Sequence, residues 1–431
     1  MGVSLQGRLR TSFQHVSGVR ELARKSKEVY GEMGLGPTLD QIRLYLSGQR
    51  SANAARIPIG PLHPEIARDW PRSVLILAER HIEQCWHYRV AQKMEALDLL
   101  GVPCQVAPIS DFPLALTRLQ LASVLIVYRL PASDRLTRII NDARRLGIEV
   151  VYESDDAVYR RDLVAANPNM MTIPPPLRAQ VERGAAQNLA ALRSATHVIA
   201  STSTLAADMS RFVRGGAFVV ENGVDSGMIR IRRGLDIQRA QGTLGHDPSV
   251  VTLIYGSGSR AHDADLALAA DALRSVMIRN PQTRLKLVGP LRLPEQLNDL
   301  TPRIKRLPEL TYGEFLRELA RSDIAIAPLL DVEFNTYKSQ IKYLEAALAG
   351  VPFMASRTVY GDYVEDGRTG IIARTDREWH QGLERLVAEE VLRRDLVFAS
   401  QADLARALLT YGAAAQLSTA MDAIHDRRVI A

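Results

Sequence analysis

The chain has 431 residues, 46% of them apolar and 24% charged, which exceeds one ordinary core and suits two globular domains. Its net charge of +6 calls for anionic partners such as a nucleotide or an anionic membrane; nucleic acid fits poorly, because aromatics make up only 6% and no dense basic run is interleaved with them. No apolar run is long enough to span a bilayer, Met1–Met33 lacks a signal-peptide core, and Cys85 and Cys104 have no metal-ligand spacing, so a cytoplasmic protein with no metal and no cofactor is expected.

Residues 1–72 are rich in Arg, Lys, Gly, Ser and Pro and carry no strand pattern. Within them Leu5, Leu9, Phe13, Val16, Val19 and Leu22 recur at helical spacing among Arg8, Arg10, Arg20, Arg24, Lys25 and Lys27. That pattern predicts a basic amphipathic helix in a partly helical, partly irregular extension. Such a helix either packs on its own domain or lies on an anionic membrane, peripherally at the inner membrane face. From Ser73, short apolar runs alternate with helical patterns. Strands are predicted over Ser73–Glu79, Pro103–Ile109, Ser123–Leu130, Glu149–Glu153, His197–Ser201 and Ala217–Val220. Helices are predicted over Gln84–Leu100, Ser133–Leu146 and Gln180–Arg193. Asn222-Gly223-Val224-Asp225 closes this first domain, 73–225, and the polar stretch that runs on to Asp247-Pro248 reads as the interdomain connection. The alternation then restarts, with strands over Val250–Tyr255, Arg284–Val288, Ile304–Leu307, Asp323–Leu330, Val351–Ser356 and Thr369–Ala373. Helices are predicted over Asp263–Ile278, Tyr312–Ala320 and Ser339–Ala349, giving a second domain over 226–405 and a helical tail over 406–431. Strict alternation argues for an α/β protein of two Rossmann-like, doubly wound parallel sheets facing across a cleft, with ligands beyond the carboxyl ends of the strands.

The most informative segment is DVEFNTYKSQIKYLEAALAGVPFMAS, residues 331–356. It predicts the loop, helix and second strand of a βαβ crossover, with Ser339 as a natural N-cap. Lys338 and Glu345 fall on nearly the same helical face with Lys342 between them, and Ile341, Leu344 and Leu348 form the opposing apolar stripe. A lysine at a helix start suits a diphosphate, and a carboxylate two turns on suits ribose hydroxyls. The alternative is a plain Lys342–Glu345 pair on a solvated helix. In the preceding crossover, Gly256-Ser257-Gly258-Ser259 either offers backbone N–H groups to a phosphate or is an ordinary turn. His262 either reaches the phosphate or only opens the next helix.

The run FNTYKSQIKYLEAALAGVPFMAS, followed by Tyr360–Asp366 and GRTGIIA, resembles the nucleotide-binding half of glycosyltransferase family 4. YGSGSRAHDAD, HVIASTSTLAADM and ENGVD extend the resemblance, which covers Ser73 to Ala373. It implies a GT-B fold, a nucleoside diphosphate sugar as donor, and transfer with retention to an acceptor hydroxyl. That acceptor is expected to be a growing bacterial surface glycan, lipid-linked or free, and Glu345 is expected to hold the donor ribose. Two positions depart from the family pattern. Tyr337 stands where many members carry the first of two glutamates, and Asp265 where many carry a lysine five residues after Arg260. Lys338-Ser339 fits a subgroup similar to bacterial polysaccharide enzymes. Arg260 and Lys338 are then expected to neutralise the leaving diphosphate without a metal. The same departures admit a nucleotide-sugar-binding scaffold that has lost turnover; a sugar-nucleotide epimerase of similar architecture is the other rival.

In the first domain, Glu153-Ser154-Asp155-Asp156 follows a strand and is similar to the acidic triplet of metal-dependent sugar transferases of another fold class. Two predicted sheets favour instead a cleft-facing acidic loop that positions the acceptor, with helix capping as the plainer reading. His81, His87, Tyr88 and Arg89 are placed at the cleft mouth as further acceptor candidates.

Overall fold

The computed structural model describes residues 73–80, 82–258, 262–404 and 412–430. The predicted extension 1–72, His81, Ser259 and Arg260 lie outside the described residues.

All twelve predicted strands form. The first six are β1 (Val74–Leu77), β2 (Cys104–Ala107), β3 (Val124–Tyr128), β4 (Glu149–Ser154), β5 (His197–Ala200) and β6 (Ala217–Val219). The second six are β7 (Val251–Gly256), β8 (Thr283–Val288), β9 (Ile304–Leu307), β10 (Ile324–Ala327), β11 (Phe353–Ser356) and β12 (Ile371–Ala373). They build two sheets, ordered β2-β1-β3-β4-β5-β6 and β12-β11-β10-β7-β8-β9, with parallel pairing throughout. Helices cover both faces of such sheets, so the central strands read as unbroken apolar runs: β1 (VLIL) and β3 (VLIVY) are buried at every position. The covering helices show the complementary pattern. In Asp134–Arg145, Leu136, Ile139, Ile140 and Ala143 turn one stripe inward, Ser133 caps the start, and Gly147 leaves the end with φ +69°.

Each strand order reverses once, between β1 and β3 in the first sheet and between β7 and β10 in the second. Loops diverge at these reversals and open a crevice beyond the strand ends. The two crevices face each other, because residues that follow β1 bond to residues that follow β10.

Two elements differ from the sequence reading, and the helical tail forms as expected over Ala413–Ile430. The stretch after Asp225 is not an irregular connection but the helix Ser226–Ala240, capped by the Asp225 carboxylate; only Met228 and Leu235 are buried in it, so its polar surface hid its periodicity. The first helical run comprises Glu83–Cys85, a π-helical stretch Trp86–Ala91, and Gln92–Leu99. The last helix, Ala413–Ile430, packs Leu417, Met421 and Ile424 against Val74, Ile76 and Val90 of the first half. Among the described residues no helix is long and apolar enough to cross a membrane.

Candidate functional site

The wall contributed by the second half is built around the helix Ile341–Ala349. It begins two residues later than predicted: Gln340 precedes it, and Lys338 and Ser339 lie in the approach, Lys338 with extended backbone. Nor is it half-solvated, since every residue from Tyr343 to Ala349 is buried. Gly350 ends it in the left-handed conformation (φ +69°), which favours glycine. Glu345 is therefore not on a polar face; it is 1% exposed. Its carboxylate accepts hydrogen bonds from Gln84 Nε2 at 3.0 Å and Tyr88 Oη at 3.3 Å, both on the first helical run of the other half. Burial pushes the Glu345 carboxyl up to about 7, against the Gln84 hydrogen bond and the Lys342 charge. The Tyr88 hydroxyl also meets that of Tyr312 at 3.0 Å.

Beside Glu345 runs the turn that follows β7. Gly256, Ser257, Gly258, His262, Lys342 and Glu345 line one pocket, joined by Gln84 from the first half and by Glu309, Leu310 and Tyr312. A Cβ at Gly289 (φ +100°) would collide with the Ser257 carbonyl, so glycine lets β8 close on this turn. The Ser257 N–H donates to the Val288 carbonyl at 2.9 Å, which corrects the expectation that this N–H is free for a phosphate. Lys342 lies with its ammonium 4.4 Å from the centre of the Tyr255 ring. Burial lowers its pKa to about 8, with Asp265 and Glu345 opposing.

His262 Nδ1 lies 2.8 Å from Asp265 Oδ2. Burial lowers the His262 pKa, while the contact with Asp265 opposes that shift. Asp265, the departure from the family pattern, is fully buried. It accepts from Asn169 Nδ2 of the first half at 3.1 Å and from the Leu330 N–H at 2.9 Å, so it ties the two halves together. Tyr337, the other departure, is a 6% exposed member of the first half's hydrophobic core, and its carbonyl accepts from Thr202. Lys338 is paired with Asp156 across the cleft at 3.1 Å, and Ser339 Oγ accepts from Asn222 Nδ2 at 2.8 Å.

The first half's wall corrects several expectations. Arg89 is not at the cleft mouth; it is 1% exposed, and its Nε lies 2.8 Å from Glu153, which also accepts from Lys93 at 2.9 Å. The π-helical stretch carries Tyr88 toward the cleft and Arg89 into the core. His87 is paired with Asp225 at 2.8 Å and stacked on Tyr312. Asp155 is not free either: it meets Arg129 at 2.8 Å and Tyr128 at 3.1 Å. The acidic run thus sends its three carboxylates to four cations, Glu153 to Arg89 and Lys93, Asp155 to Arg129 and Asp156 to Lys338, and among the described residues no cluster of His, Cys, Asp and Glu is placed to hold a metal ion. Sequence reading missed Gln84 as a site residue, and missed Arg129, whose φ of +47° at the β1/β3 reversal marks backbone strain in a non-glycine residue.

Residues 251–389 match the family model described as glycosyl transferases group 1. No curated protein matches the sequence. Among solved structures, HepE from Anabaena in complex with UDP and glucose is similar, with a TM-score of 0.53 at 16% identity over 81% of this chain and 99% of that one. Sucrose-phosphate synthase from Thermosynechococcus elongatus gives 0.57 at 14% identity over 83% and 100%. WaaG, a glycosyltransferase involved in lipopolysaccharide biosynthesis, gives 0.54 at 13% identity over 82% and 99%. The chain therefore has the two-sheet GT-B fold, and its second half contains the segment that matches the glycosyl transferases group 1 model.

Proposed function

We propose that the protein transfers a glycosyl group from a nucleoside diphosphate sugar to an acceptor hydroxyl, with retention at the anomeric carbon. The observation that carries this reading is the single pocket in which the turn at Gly256–Gly258, Lys342 and Glu345 lie together beneath Gln84 of the opposite half. Glu345 is assigned to the ribose, because a carboxylate already held by neutral donors can exchange them for ribose hydroxyls. In the transfer step the bond from the anomeric carbon to the β-phosphate oxygen breaks and the nucleoside diphosphate leaves with the electron pair. The acceptor oxygen bonds to that carbon and gives up its proton. Charge growing on the departing phosphate needs positive groups already in place; Arg260 is assigned to it, and Lys338 could contribute only by releasing Asp156. No divalent metal and no cofactor is assigned to the reaction. The acceptor is assigned to bacterial surface glycan synthesis, on the family resemblance and the likeness to WaaG, with peripheral contact at an anionic membrane through the basic extension.

One observation favours a second reading, a nucleotide-sugar-binding scaffold. Tyr337 replaces an acidic donor contact and is anchored in the other half's core. Incubating the intact protein with panels of nucleoside diphosphate sugars separates the two. Donor binding with release of nucleoside diphosphate supports transfer; tight binding with no release over many hours supports the scaffold.

A further inference from the structure

Among the described residues, the lysine that lines the pocket with the glycine turn is Lys342, not the Lys338 that sequence spacing selected. Lys338 is engaged by Asp156. Lys342 lies on the first turn of the helix Ile341–Ala349, lines the pocket with Gly256, Gly258 and Glu345, and has no carboxylate within ion-pair distance among the described residues. Its ammonium rests on the face of Tyr255, one residue ahead of the turn. Asp265 and Glu345 act on its charge from a distance, Lys338 repels it, and burial disfavours a charge on the neighbouring His262. A half-buried ammonium whose partner among the described residues is an aromatic face is poorly compensated, and an entering anion supplies the missing counter-charge.

We propose that Lys342 is the residue that receives the diphosphate of the donor, taking the place left by Asp265. This rests on the transferase reading above and adds to it the group that recognises the charged part of the substrate. The geometry separates two tasks. Lys338 joins the two halves through Asp156, whereas Lys342 faces the pocket between the turn and the ribose carboxylate. Asp265 cannot serve as a phosphate contact, since its carboxylate is fully buried and occupied by Asn169, His262 and the Leu330 N–H. The sugar–diphosphate bond breaks next to this ammonium, so it would also carry charge that develops on the leaving group.

The test compares nucleoside diphosphates with their own nucleosides, using UDP with uridine, GDP with guanosine and ADP with adenosine, by calorimetry on the full chain. For the pair that the intact protein binds best, Lys342→Met is expected to weaken the diphosphate at least tenfold and leave the nucleoside unchanged. Lys342→Arg is expected to restore most of the loss. Methionine keeps an unbranched side chain against Tyr255, so packing is preserved while the charge is removed. Equal weakening of diphosphate and nucleoside would mean that Lys342 only shapes the pocket, and would overturn the proposal. So would an unchanged diphosphate affinity in a folded Lys342→Met variant. If the intact protein binds none of the three diphosphates, the transferase reading fails and this proposal falls with it.

Discussion

The two walls of the cleft handle charge in opposite ways. On the first half's wall the described site residues are paired: Glu153 with Arg89 and Lys93, Asp155 with Arg129, His87 with Asp225, and Asp156 with Lys338 from across the cleft. On the second half's wall, among the described residues, Lys342 meets an aromatic face and no carboxylate, and Glu345 is held by neutral donors. A charge satisfied within the fold has little left to give a ligand, whereas one left partly unpaired in a pocket gains from binding. Under the proposed transferase reading, the first wall serves as a scaffold and recognition of the charged donor falls to the second.

The sharpest way to break this contrast is to unpair the first wall. Glu153 is fully buried between two cations, so Glu153→Gln leaves Arg89 and Lys93 without a counter-charge. The expected loss of stability is about 3–5 kcal/mol, read by urea unfolding, with donor affinity of the folded fraction unchanged. A loss near zero would mean that the charges on this wall do not depend on one another.

On the second wall the expected effect falls on binding. Glu345→Gln keeps the shape and removes the charge, and should weaken donor binding by about 1.5–3 kcal/mol, the worth of hydrogen bonds to a charged group. Glu345→Ala is the harsher change, because it also frees Gln84 and Tyr88 and so loosens the seam between the halves. Calorimetry that finds the Gln variant unaffected would reassign Glu345 to holding that seam.

A pH series sharpens the same comparison. The folded pKa of Glu345 is raised from 4.5 to about 7, so the folded state holds a proton that the unfolded chain has released. The stability contributed is complete below about 4.5 and is lost as pH rises through about 7. Lys342 is lowered from 10.5 to about 8, so its contribution is present above about 10.5 and lost as pH falls through about 8. Thermal unfolding should therefore show midpoints falling between pH 5 and 7, and Glu345→Gln should flatten that slope. Diphosphate affinity should decline above about pH 8 as the free Lys342 loses its proton, while nucleoside affinity should not.

The comparison also explains what was legible beforehand. Parallel strands covered on both faces announce themselves as apolar runs, so β1, β3 and β10 could be read directly. The two-sheet frame followed from their alternation and the GT-B expectation from the family resemblance, and Glu345 stood out because its neighbours form the run that carries that resemblance. Partnerships could not be read. Gln84 and Glu345 are 261 residues apart, and Arg89 and Glu153 are 64 apart; no local pattern joins them. Arg89 therefore looked like a cleft residue when it is a core cation, and Lys342 looked like half of a surface pair when it faces the pocket. The π-helical stretch at Trp86–Ala91 compounds this, because it alters the phase that helical spacing assumes.

The smallest expected effect concerns Lys338, whose charge is shared between the two walls. Its pair with Asp156 spans the cleft, but both side chains keep about a fifth of their exposure, at 21% and 20%. Water screens such a pair, and holding two flexible side chains together offsets part of the attraction. Lys338→Ala should accordingly cost less than about 1 kcal/mol of stability, well below the loss expected at the buried Glu153. Tyr337 and Ser339 on either side keep their own ties to the first half, through Thr202 and Asn222, so the loop should stay docked. If Lys338 serves only to join the walls, its loss weakens donor binding far less than the loss of Lys342, and Asp156→Asn reproduces the same modest change. If Lys338→Ala instead weakens diphosphate as strongly as Lys342→Met while nucleoside binding holds, Lys338 leaves Asp156 when the donor enters, and the division of labour between the two lysines is wrong.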